Sequence, residues 1–161
     1  ELAARWPTIP CLACGRPGRT WPTSPRTSEG FGVVASMVFD SDVLIWVFRR
    51  HPVAAGKLDR DAAPTMSIIT YMELLQGARN IMEQRQIKKF LAKYPLKTIP
   101  LSENVGHRAS IYIEEHALGR GLRIADALIA ATAAETGQAL CTGNARHFGA
   151  ILDLKVERFT P

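Results

Sequence analysis

The chain has 161 residues, 47% of them apolar and 22% charged, with a formal net charge of +5. That length and apolar content suit one domain with a sizeable core and leave little room for a second. No apolar stretch approaches the roughly 20 residues that cross a bilayer, which excludes a membrane span.

Composition changes near Met37. Residues 1–36 hold five of the ten prolines and no sustained helical or alternating period, which predicts a disordered leader outside the native domain; the domain proper is expected over 37–161. The stretch lacks the continuous apolar segment of a secretory signal. Without it the domain keeps sixteen basic and thirteen acidic residues, a mild excess that is compatible with nucleic acid without requiring it. Cys11 and Cys14 form a lone CxxC with no second pair to complete a zinc site, so chance cysteines are the simpler reading.

From Met37 onward the elements alternate. "MVFD" reads as a strand and "DVLIWVFRRH" as a helix that Asp42 caps by accepting a hydrogen bond from the first backbone amides. "PVAAGKLDRDA" predicts a short helix, "PTMSII" a second strand, "TYMELLQGARN" and "EQRQIKKFLAKY" two amphipathic helices, and "LKTIPL" a strand. The helices "ENVGHRASIYIEEHALGRG" and "ADALIAATAAETG" follow, the latter ending at Gly137, and "ALCT" and "LKVERF" complete the strands. Cys141, in the apolar run "QALCT", reads as a small buried hydrophobe in a reducing compartment, so a cytoplasmic location is expected. This alternation predicts an α/β fold with a mostly parallel sheet covered by helices on both faces, and functional groups at the carboxyl ends of its strands.

Three acids fall where a carboxylate is costly to desolvate unless it is partnered. Asp40 leaves the first strand, Glu73 lies among Tyr71, Met72, Leu74 and Leu75 shortly after the second, and Asp126 opens an apolar helix whose dipole favours its ionised form. Singly, each has a blander role, Asp126 as a first-turn acid and Glu73 as a solvated side chain. Jointly, acids that converge on strand ends are better explained by a shared hard cation, magnesium or manganese, since no cluster of His or Cys accompanies them. A divalent ion relieves their repulsion, lowers the pKa of a bound water and neutralises charge on a phosphate under attack, which makes phosphodiester hydrolysis the natural reaction.

"VFDSDVLIWVF", "SIITYMELLQGAR", "LRIADALIAATAAETG" and "LCTGNARHF", in this order, resemble the PIN-domain ribonucleases of the VapC toxin family over essentially Met37 to Pro161. The resemblance implies a PIN-like three-layer α/β/α fold and a Mg2+-dependent endoribonuclease, with Mn2+ able to substitute. It further implies an RNA substrate, a cognate antitoxin that blocks the active site, and a homodimer. Matched motif by motif, it implies Asp40, Glu73 and Asp126 as metal ligands, with Ser41 supporting the metal-water network and Asp42 left to local capping. In the fourth motif, where many relatives carry an acid, this chain has Asn144 and His147. Asn144 still offers a carbonyl oxygen to a metal-bound water and joins the catalytic set without charge. His147 reads as a surface or packing residue, with phosphate contact or leaving-group protonation as the lesser alternative, and Arg146 and Arg123 either touch phosphate or are solvated. Two rival readings stand: a haloacid-dehalogenase-like phosphatase, because "FDSDVL" also carries DxD after a strand, and a catalytically weakened module that only binds RNA or protein.

Overall fold

The computed structural model describes residues 36–161, so the expected leader over 1–36 lies, but for Ser36, outside the described residues, together with Cys11 and Cys14. Strand β1 (Met37–Phe39) runs into helix α1 (Ser41–Phe48), followed by α2 (Pro52–Arg60), β2 (Thr65–Ser67), α3 (Ile68–Gln76), α4 (Ile81–Leu91) and β3 (Lys97–Ile99). The second half comprises α5 (Glu103–Arg120), α6 (Ile124–Glu135), β4 (Ala139–Thr142), α7 (Ala145–Phe148) and β5 (Val156–Arg158).

Local chemistry sets most boundaries. Pro52 opens α2, where its missing N–H has no helical partner to lose. Asn80 caps α4 by accepting the amide of Glu83 at 2.9 Å, and the Glu83 carboxylate folds back onto the amide of Arg79, the residue before the cap, at 2.8 Å. Ser102 caps α5, which stops at Gly121 with φ 68°. Helix α6 closes as a Schellman turn: Gly137, at φ 66°, donates to Ala134 O while Gln138 donates to Ala133 O. The second strand is shorter than "PTMSII" predicts, because the Ser67 hydroxyl accepts the amide of Ile69 at 3.2 Å and starts α3 at Ile68. An available cap therefore outweighs the β-preference of two isoleucines.

The five strands are ordered β3-β2-β1-β4-β5 and every pair is parallel, so the expected mostly parallel sheet is fully so. Alternation along the short strands splits the core into two layers. Val38 and Leu140 point into the cluster built with α5 and α6, where Ile129, Ala130 and Phe148 are fully buried. Phe39, Met66 and Cys141 point the opposite way, against Val43, Leu44, Val47 and Leu58 of α1 and α2 and Ile87 of α4. Cys141 is a buried free thiol as anticipated, and burial pushes its pKa up to about 12, which keeps it inert. Three layers result, and the chain steps outward from β1 through β2 to β3 and then crosses back to β4 on the other side of β1, so the strand order reverses between β1 and β4. A crevice is thereby opened at the carboxyl ends of β1 and β4, the position where parallel α/β sheets place ligands.

Candidate functional site

Asp40 is the first residue past β1 and sits in that crevice, 6% exposed. One carboxylate oxygen accepts the amide of Ser41 at 2.7 Å and so caps α1, and the other accepts the Thr142 hydroxyl at 2.8 Å from the end of β4. The Ser41 hydroxyl lies 3.4 Å from the first of these oxygens. This corrects the sequence-based assignment of the α1 cap to Asp42. The cap lies two residues earlier, because Asp40 is already extended at φ −76°, ψ 161° and offers its own oxygen to the first free amide. Asp42 lies instead in the first turn, and its carboxylate reaches across the crevice to accept the amide of Gly143 at 2.8 Å.

The β4 side of the crevice is built to receive these two acids. Thr142 is fully buried, and its oxygen accepts the amide of Asn144 at 3.0 Å while donating to Asp40, a relay that fixes the turn after β4. A side chain at Gly143 would place its Cβ 2.7 Å from the Asp42 carboxylate, so only glycine permits this approach. Neither residue stands out in the sequence. Their roles depend on β1 and β4 being neighbours, although Thr142 and Asp40 stand 102 residues apart.

Asp40, Asp42, Glu73, Asp126 and Asn144 all line one cavity of about 710 Å³, which Trp46, Arg79 and Arg158 also border. The sequence-predicted acids are therefore gathered at one place: Glu73 from the middle of α3, half-buried, and Asp126 from the first turn of α6, buried at 7% exposure. Burial raises the Asp40 pKa from 3.8 to about 7, the charge of Asp42 adds to it and Glu73 contributes, while the hydrogen bonds from Thr142 and Ser41 pull the other way. One Asp126 oxygen is buried without a hydrogen bond and faces the His147 imidazole at 3.7 Å. As placed, no three His, Cys, Asp or Glu side chains among the described residues form a ready-made metal cluster. Arg123 and Arg146 are exposed and do not line the cavity. Among the described residues no helix is long and apolar enough to cross a membrane.

Residues 37–151 match the PIN domain family. A search of curated proteins finds no match. Among solved structures, the chain is similar to a toxin-antitoxin complex from Klebsiella pneumoniae, at 25% identity and TM-score 0.63 over 77% of this chain and 100% of that one. It is also similar to DNA-bound VapBC from Salmonella typhimurium, at 19% identity and TM-score 0.67 over 78% and 98%. A third similar structure is VapBC2 from Rickettsia felis bound to a promoter DNA fragment, at 21% identity and TM-score 0.64 over 77% and 98%.

Proposed function

The chain belongs to the PIN domain family, and from that premise we propose that it is a VapC-type toxin: a magnesium-dependent endoribonuclease held in check by a cognate antitoxin. Membership of that family sets the dehalogenase-like alternative aside. The observation that carries the reading is the setting of Asp40, buried at the sheet's switch point with Glu73 and Asp126 lining the same cavity.

The donor set fits a hard divalent cation. Its members are carboxylates and an amide, one Asp126 oxygen is buried without a hydrogen bond among the described residues, and burial, with the charge of Asp42 and a contribution from Glu73, raises the Asp40 pKa to about 7, a cost that a cation would relieve. Asp40 and Asp126 would hold the cation, Glu73 would bind it directly or through water, and Asn144 would orient that water through its carbonyl. The ion, when bound, supplies an acidified water and neutralises charge building on the scissile phosphate. The protein's own part is positional. Thr142 and the Ser41 amide orient the Asp40 carboxylate, and the Asp42–Gly143 bond fixes the turn that presents Asn144. The antitoxin partner is supported by the similarity to toxin-antitoxin assemblies, and a homodimer is proposed with it.

Incubation of the purified protein with single-stranded RNA and Mg2+, alongside the Asp126→Asn variant and a small phosphate ester, tests the reading. The proposal expects RNA cleavage by the parent, none by the variant, and no turnover of the small ester. RNA binding without cleavage under all metal conditions would favour the binding-only module.

A further inference from the structure

Two buried polar atoms beside the crevice face each other, and neither has a hydrogen-bond partner among the described residues. They are the second carboxylate oxygen of Asp126 and Nδ1 of His147, 3.7 Å apart. The His147 side chain is a third exposed overall, yet this nitrogen is buried, so the solvent-facing part of the ring is elsewhere. Its place is fixed by the backbone. Phe148, fully buried in the α5–α6 layer, anchors the short helix α7, and the amide of His147 donates to Asn144 O at 3.0 Å. Phe148 burial fixes the backbone from which the imidazole projects, and Asp126 is held in the first turn of α6, itself among the best-buried helices of the fold.

We propose that His147 is a positioning residue: a small approach of the ring from the 3.7 Å seen here to hydrogen-bond distance lets its Nδ1–H donate to Asp126 and aim the remaining carboxylate oxygen into the cavity. A carboxylate buried at 7% exposure is expensive to hold with one oxygen unsatisfied, and an imidazole N–H at this position relieves that cost while leaving the other oxygen for a ligand. His147 therefore acts through Asp126 and does not meet the substrate. The inference rests on the nuclease reading for the ligand's identity, but the pairing itself is a property of the metal-free protein.

The geometry makes side-chain replacements discriminating. The Asn amide nitrogen occupies about the place of imidazole Nδ1, whereas the Gln amide nitrogen occupies about that of Nε2. His147→Asn should therefore preserve the donor and His147→Gln should not, though both are polar. Two measurements decide. In metal-free protein above pH 8, nitrogen NMR of the imidazole should show the Nδ1–H tautomer, which shifts toward Nε2–H in Asp126→Ala. Calorimetric titration with Mn2+ should show an affinity about tenfold weaker for His147→Ala and His147→Gln, the size typical of residues that orient a metal ligand, and near-parental affinity for His147→Asn. A tautomer indifferent to Asp126, or equal Mn2+ affinity in His147→Ala and the parent, overturns the proposal. A parent that shows the coupled tautomer and binds Mn2+ yet cuts no RNA overturns the nuclease reading and supports the pairing.

Discussion

Replacing Asp40 by Asn should make the metal-free protein more stable while removing its activity. In the unfolded chain this carboxyl ionises near 3.8, and in the fold it is held up to about 7 by burial and by Asp42 and Glu73. A folded pKa above the unfolded one means that the folded state binds more protons between those values, so stability falls as pH rises from about 4 to 7 and stays low above. At about 1.4 kcal/mol per pH interval, the full penalty is about 4 kcal/mol at pH 8. Asn escapes it, but its amide cannot accept from Thr142 as a carboxylate does, a loss of about 1.5–3 kcal/mol for a hydrogen bond to a charged group. The net gain is about 1–3 kcal/mol, a rise of roughly 3–9 °C in Tm for a domain of this size. At pH 5 only about 1–2 kcal/mol of the penalty is in force, so the gain should vanish. Thermal unfolding of both proteins in chelator at pH 5 and pH 8, repeated with Mn2+, reads all of this: the cation should stabilise the parent and not the variant. An Asp40→Asn protein less stable than the parent at pH 8, or a difference that does not change with pH, would refute the reasoning.

Three further outcomes follow from the β4 side of the crevice. Thr142→Val keeps shape but strips the Asp40 oxygen and the Asn144 amide of their shared partner; it should cost about 1–3 kcal/mol in denaturant unfolding and weaken Mn2+ binding, because losing the Thr142 bond raises the Asp40 pKa further. Gly143→Ala drives a methyl to within 2.7 Å of the Asp42 carboxylate, which must give way and lose its bond to the Gly143 amide; a loss of about 1 kcal/mol in Tm-derived stability is expected, with RNA cleavage reduced as the turn carrying Asn144 shifts. Asn144→Ala should slow cleavage about tenfold, as for a residue that orients rather than binds a metal, against about a hundredfold or more for Asp126→Asn, which deletes a charge the cation requires; initial rates on one RNA compare them directly.

What the sequence makes legible here is periodic or covalently local. The alternation of apolar runs yields the parallel sheet, and the acids at the ends of "MVFD" and at the start of "ADALIAA" sit where strand ends and helix starts must converge. Boundaries decided by competing caps are less legible: Asp40 and Asp42 are both good N-cap residues, and only the extended backbone at Asp40 shows which one starts α1. Thr142, Gly143 and the Asp126–His147 pairing are the least legible. Each exists only because β4 lies beside β1 and α7 folds against α6, neighbour relations that no window of sequence contains. His147 illustrates the point, since its flanking residues mark it as a packing or surface side chain and only the fold brings its Nδ1 to a carboxylate.

If Asp40, Glu73 and Asp126 hold a cation that directs water onto an RNA phosphate, the cut ends will carry the mark of that water. Cleavage of end-labelled RNA, with the chemistry of the new ends identified, tests it most directly. Attack by water leaves 5′-phosphate and 3′-hydroxyl ends, whereas attack by the RNA's own 2′-hydroxyl leaves a cyclic phosphate. Mg2+-dependent cleavage with 5′-phosphate ends is expected, abolished by chelator and by each of Asp40→Asn, Glu73→Gln and Asp126→Asn. Cyclic-phosphate ends that persist in chelator, or parental cleavage rates in all three variants, would contradict it.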